Sequence, residues 1–180
     1  MRLHSNETTE LHHKIVDGYK NSLAELEQAG EEEDEESFER SFIYNAIYLH
    51  TLWFEQLEGS ESKSDSPMLE DILERRESDL ATFEKWMSDF ARSARPNGWA
   101  IWGWSYPLKT FVAFPIRGHD DGVPIGVAPI LVIDCWEHSY IGDFGVDFDS
   151  YLEKFWAEIN YEVIERRHKE MASSLGFDIK

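Results

Sequence analysis

In the stretch APILVIDCWEHSY, residues 128–140, an apolar run ends on Asp134, and His138 follows four positions later with Trp136 and Glu137 between them. A carboxylate at the end of a buried strand is stable only where a cation or several donors meet it. His138 can return to the same point as the chain turns off the strand. A further imidazole, His50, stands in NAIYLHTLWFEQL among neighbours that are almost all apolar. Alone, His50 reads as a core histidine hydrogen-bonded to backbone or a tyrosine. The pair His12 and His13 in ELHHKIVDGY reads alone as exposed helix residues. Considered with Asp134, imidazoles drawn from separate segments are explained most economically by one metal ion that gathers them. Neutral nitrogen ligands with one carboxylate suit iron, manganese or zinc better than calcium or magnesium. A structural zinc site would be expected to use thiolates, and Cys135 is the chain's only cysteine.

The elements that must position these groups follow from periodicity and punctuation. Leu11, Ile15, Tyr19 and Leu23 recur at four-residue spacing and predict a helix over about 8–28. GEEEDEES, residues 30–37, reads as a solvated connection. Phe38, Phe42, Ala46, Leu49, Trp53 and Leu57 stripe a second helix over 38–57, widened by Ile43, Ile47 and Phe54, which predicts a buried helix. EGSESKSDSP, residues 58–67, reads as a linker, and Phe83, Trp86, Met87 and Phe90 mark a third helix over 80–93. WAIWGW, TFVAFPI and APILVID are short aromatic and β-branched runs separated by Pro, Gly and Asp, and predict three strands. The tail from Ser150 to about Met171 returns to helix, with Tyr151, Leu152, Phe155, Trp156, Ile159 and Val163 inward. The predicted class is α+β: an N-terminal antiparallel helical hairpin domain over 1–93, then a C-terminal domain over 94–180 with a three-stranded antiparallel sheet and flanking helices.

Composition removes several functional classes. With 180 residues, 42% apolar and 14% aromatic, the chain can bury a substantial core. Seventeen basic against thirty-six acidic residues give a formal charge of −19, which argues against nucleic-acid and anionic membrane partners. One cysteine permits no disulfide within the chain. No signal-peptide pattern opens the sequence, and the longest apolar run, near 123–133, is broken by Pro124 and Pro129, so the expectation is a soluble cytoplasmic protein.

At this point the residues carry a resemblance. DCWEHSY is similar to the D-x-W-E-H-A-Y signature of the iron/manganese superoxide dismutases, and FIYNAIYLHTLWFEQL resembles that family's second-helix segment with His50 in the ligand place. NGWAIW resembles the family's first strand, and YLEKFWAEINYEVIERR its final helix, so the likeness covers essentially the whole chain. It implies that His50, Asp134 and His138 are metal ligands, with His12 as the remaining one and His13 as the fallback. It also implies one iron or manganese ion per subunit and a ping-pong dismutation of superoxide to dioxygen and hydrogen peroxide. By the same resemblance Tyr19, about two turns after His12, reaches the site entrance. His119, in RGHDDGVPIG, takes the place of a histidine or glutamine that donates to solvent at the metal. Tyr19 and His119 are then candidates for proton delivery, Trp99 and Trp136 wall the site, and Glu137 crosses a homodimer interface to the partner's ligand histidine, making the Glu137–His138 region the dimer contact.

The chain departs from the family pattern in places. Eleven residues precede His12, Ile141 follows Tyr140 where many members have a tyrosine, and VDFDSY stands where the family often places an arginine that attracts the anion. The departures motivate an alternative: a relative that keeps the fold but acts as a non-enzymatic metal-binding or structural dimer.

Overall fold

The computed structural model describes residues 3–29, 34–58, 67–74 and 77–174, with the side chains of 29, 34–38 and 68 outside that description. The first helix, α1 (Asn6–Ala29), starts where Ser5 Oγ accepts from the Thr8 amide at 3.2 Å, satisfying one of the free donors of the first turn. The second, α2 (Asp34–Glu55), runs back along it. Its direction is read from facing pairs: His13 against Phe54, His12 against His50, Tyr19 against Phe42, and Arg40 donating to the Leu26 carbonyl. Residue numbers rise on one helix as they fall on the other, so the hairpin is antiparallel. The acidic segment is not wholly a connection, since Asp34–Ser37 already belongs to α2 and residues 30–33 lie outside the described residues.

Of the expected linker, residues 59–66 also lie outside the described residues. A short helix that the sequence pattern did not announce, α3 (Pro67–Glu74), follows and buries Leu69 and Leu73 one turn apart. The next helix, α4 (Leu80–Ala94), is capped by Asp79, whose side chain accepts from the Thr82 amide, and it lays Phe83, Met87, Ala91 and Ala94 on the sheet. The strands β1 (Gly98–Ser105), β2 (Thr110–Arg117) and β3 (Val127–Asp134) form an antiparallel sheet in the order β2-β1-β3. As the central strand, β1 pairs on both edges and is buried along nearly its whole length, as its unbroken apolar run requires. The register sets Trp99 opposite Asp134, so the two side chains emerge on one face.

After β3 the chain turns into α5 (Glu137–Phe144), and the tail forms two helices, α6 (Phe148–Glu158) and α7 (Tyr161–Ser174), where one continuous pattern was expected. The break has a local cause: Ile159 is extended, and the Asn160 side chain accepts from the Glu162 amide and so starts the next helix. All six residues expected to face inward are buried.

Two polar devices fix α2 against β3. The carboxamide of Gln56 pairs with both backbone groups of Val132, donating to its carbonyl and accepting from its amide. Arg167 of α7, itself buried, donates to the carbonyls of Leu52 and Ile130 and to Glu55. Buried polar groups tied by several hydrogen bonds at once hold one arrangement, and this arrangement sets the helix carrying His50 beside the strand carrying Asp134.

A sheet packed this closely has little room at its glycines. A Cβ on Gly98 would lie 2.2 Å from the Ile116 carbonyl oxygen and 2.5 Å from that of Ala94, both backbone atoms that cannot swing aside. Gly98→Ala is therefore expected to destabilise by about 3 kcal/mol or more, as overpacking does, read as a lowered urea midpoint. An unchanged midpoint would mean that α4 and β2 can separate at this point.

Candidate metal centre

Four side chains from three parts of the chain converge at the junction of α1, α2 and the end of β3. Nε2 of His12 lies 3.2 Å from Asp134 Oδ2, Nε2 of His138 lies 3.4 Å from it, and Nε2 of His50 lies 3.8 Å from it. The ring nitrogens of His50 and His138 are themselves 3.3 Å apart. One donor atom from each of the four falls within 4.8 Å of all the others. His12, His50 and Asp134 are fully buried, and His138 keeps a side-chain exposure of 16%. His13 is not in the group: it is exposed and stacks on Phe54 with ring centres 4.2 Å apart.

Local structure explains the convergence. Asp134 Oδ1 accepts from the Trp136 amide at 2.9 Å, which pins the carboxylate and leaves Oδ2 facing the histidines. The Asp134 carbonyl is held by Tyr151 Oη at 2.6 Å and by Ser139 Oγ at 3.1 Å, so the turn that returns His138 is fixed from two sides. His50 Nδ1 pairs with the Ala46 carbonyl one turn back at 2.6 Å, directing Nε2 into the cluster.

Burial decides the protonation of these groups. It pulls His50 down to about 3 and lowers His12, and His119 falls to about 4 for the same reason. His12, His50 and His119 are thus neutral at neutral pH. Burial works against an ionised Asp134, but the neighbouring imidazoles of His138 and His12 outweigh it and hold its carboxyl well below the usual range. The donor set is three imidazole nitrogens and one anionic oxygen. Asp134 Oδ2 and His12 Nε2 are both buried with no hydrogen-bond partner among the described residues. Buried polar atoms left so are rare and costly, and a cation at their focus satisfies them. The residues fit a transition metal of the iron, manganese or zinc type.

The walls are aromatic. Trp99 meets His50 edge-on at 5.0 Å, Phe54 meets His12 at 4.9 Å, and Trp136 stacks on His119 at 4.9 Å. His119 is fully buried, and its loop is tied to α2 by Asn45, which donates to its carbonyl. Tyr19 stands 5.8 Å from His119 and 6.1 Å from His50, ring centre to ring centre, with its hydroxyl pKa raised by burial and by the charge of Asp134. Glu137 is exposed at the start of α5.

Residues 65–167, more than half of the chain, match the family model for the iron/manganese superoxide dismutases, C-terminal domain. The chain belongs to the iron/manganese superoxide dismutase family. It is similar to superoxide dismutase [Mn] 2 of Halobacterium salinarum, with 29% identity over 168 residues that cover 90% of this chain and 82% of the relative. It is also similar to superoxide dismutase [Fe] of Mycobacterium tuberculosis, with 26% identity over 182 residues, covering 94% and 86%. A superoxide dismutase [Mn] of Haloarcula marismortui shares 28% over 171 residues, covering 90% and 81%. The metal named differs among these dismutases while the overall likeness is similar. One further residue at the centre had no counterpart in the sequence reading. His4, just ahead of α1, is buried against His12 and Tyr151, and burial followed by the charge of His12 pulls it to about 4. It precedes the helical periodicity, so no pattern marked it.

Proposed function

We propose that the protein is a superoxide dismutase in which His12, His50, Asp134 and His138 hold one iron or manganese ion per subunit. The observation that carries this reading is the convergence of three imidazole nitrogens and one carboxylate oxygen within 4.8 Å, in a chain of this family. Bound there, either metal supplies a one-electron couple for the conversion of two superoxide ions and two protons into dioxygen and hydrogen peroxide.

The chain's own residues do the rest. Asp134 brings the single negative charge of the donor set, and the neutral histidines bring none, so the site favours a cation without cancelling its attraction for an anionic substrate. Trp99, Phe54 and Trp136 keep bulk water from the donors. Tyr19 and His119 hold the protons that peroxide needs: the raised pKa of Tyr19 keeps its hydroxyl protonated, and neutral His119 carries one N–H and one acceptor nitrogen. Glu137, exposed beside His138, would cross a two-fold axis to a second subunit and orient the ligand histidine there.

The formal charge of −19 repels superoxide at long range. Screening over about 8 Å at physiological ionic strength removes that repulsion while leaving the local field intact. At low ionic strength the rate constant for superoxide should therefore rise on added salt, and a steep fall would show that local positive charge governs approach. The reading as a whole is tested by following superoxide decay after pulse radiolysis with metal-free, iron-loaded and manganese-loaded protein. Catalysis by at least one loaded form and none by the metal-free form is expected. Metal uptake with no catalysis in either form would make the chain a non-enzymatic member of the family.

A further inference from the structure

His4 and His12 present complementary problems. One nitrogen of the His4 ring hydrogen-bonds the Ser139 backbone, while Nε2 is buried without a partner, so the bond belongs to Nδ1. Donating to the Ser139 carbonyl, Nδ1 carries the ring proton, and Nε2 is left as an unused acceptor. As a metal ligand through Nε2, which lies 3.2 Å from Asp134 Oδ2, His12 carries its proton on Nδ1, and that donor is also buried without a partner among the described residues. His50 shows what a helical histidine can do with the same donor, since its Nδ1 is satisfied by the Ala46 carbonyl four residues back. His12 makes no such bond. The two rings lie 5.9 Å apart, centre to centre, a separation that one water bridges. His4 is itself clamped, parallel to Tyr151 at an interplanar angle of 3° and with Trp53 at 6.4 Å.

We propose that His4 is a positioning residue for the metal centre: its Nε2 accepts the Nδ1–H of His12 through one bridging water and thereby fixes the tautomer and ring orientation of that ligand. The contact closes a circuit. The Ser139 carbonyl holds His4, His4 holds His12, and Ser139 Oγ holds the carbonyl of Asp134. The residue ahead of α1 and the turn after β3 thus set two ligands through one serine. A neutral acceptor on the far nitrogen raises the basicity of a ligating imidazole, and loss of such a partner typically weakens metal binding by about 10–100-fold.

The inference rests on His12 being a ligand, and the test separates the two. Mn(II) affinity is measured by chelator competition for wild type, His12→Ala, His4→Phe and His4→Gln, with the electron paramagnetic resonance spectrum of bound Mn(II) recorded for each. His4→Phe keeps a flat ring against Tyr151 but removes the acceptor, and it should bind about 10–100-fold more weakly with an altered spectrum. His4→Gln restores an acceptor oxygen and should recover most of the affinity and the wild-type spectrum. His4→Phe binding as tightly as wild type with an unchanged spectrum overturns the role of His4 while leaving the metal centre standing. A glutamine variant no better than phenylalanine overturns it as well. Unchanged binding by His12→Ala removes the ligand reading itself. Should His4→Phe fail to fold, nuclear magnetic resonance of ¹⁵N-histidine-labelled, zinc-loaded wild type decides: a His12 Nδ1 proton protected from exchange supports the contact, and a freely exchanging one overturns it.

Discussion

Replacing Asp134 by asparagine leaves a folded protein that no longer retains iron or manganese and whose superoxide turnover falls by at least about 100-fold, more than the loss of any residue that merely supports a ligand. Asparagine preserves the local geometry, because its side-chain oxygen can still accept the Trp136 amide that Asp134 Oδ1 accepts at 2.9 Å. What it removes is the one negative charge in a donor set whose other members are imidazoles. At Oδ2 that charge faces three imidazole nitrogens at 3.2, 3.4 and 3.8 Å in a fully buried site, where little solvent screens it. Metal content by mass spectrometry, with circular dichroism as the control for folding, reads the result. A folded variant that keeps its metal would take Asp134 out of the coordination sphere.

The second large effect is acid sensitivity of the metal-free protein. His50 at about 3, and His4 and His119 at about 4, all lie below the ordinary histidine value of about 6.5 chiefly because burial opposes their charging. The unfolded chain takes up these protons first, so the stability they confer is complete above about pH 6.5 and is lost as the pH falls towards the folded values. Between pH 6.5 and 5 each group costs about 2 kcal/mol, and together they remove much of a typical domain stability of about 5–15 kcal/mol. The acidic surface does not offset this, because carboxylates with ordinary values near 4 stay ionised over that range. Thermal melts of metal-free protein should shift down by about 10–20 °C between pH 7.5 and 5. A flat profile would mean that these histidines are solvated.

The parts of the fold that the sequence made legible are those with strong periodicity or a single dominant interaction. The apolar stripe of α2, the three aromatic and β-branched strands, and the DCWEHSY turn all lie where their patterns place them. α3 was obscured because its eight residues bury Leu69 and Leu73 at the end of a polar stretch, and two apolar positions do not establish a period. The break at Ile159 and Asn160 was hidden by inward residues that keep helical spacing across it, although Asn160, as a residue type that starts helices, was the available signal. At the site, the resemblance named the four donors, and spacing alone could not choose between His12 and His13. The helix does so by burying one ring completely and leaving the other exposed on Phe54. His119 lies in a polar loop of the kind that ordinarily exposes its histidines, and it is buried because Asn45 draws that loop onto α2 and Trp136 stacks on its ring. The first of these contacts joins residues 74 positions apart and the second joins a loop to the turn after β3, and neither leaves a local trace. His4 was invisible for the same reason.

A crystal of manganese-loaded protein measured at the manganese absorption edge shows whether one redox metal lies among these four side chains. One anomalous peak per subunit is expected, bonded to Nε2 of His12, His50 and His138 and to Oδ2 of Asp134. A peak coordinated elsewhere, at His13 or on the acidic surface, or no peak in protein that has taken up manganese, would contradict that placement.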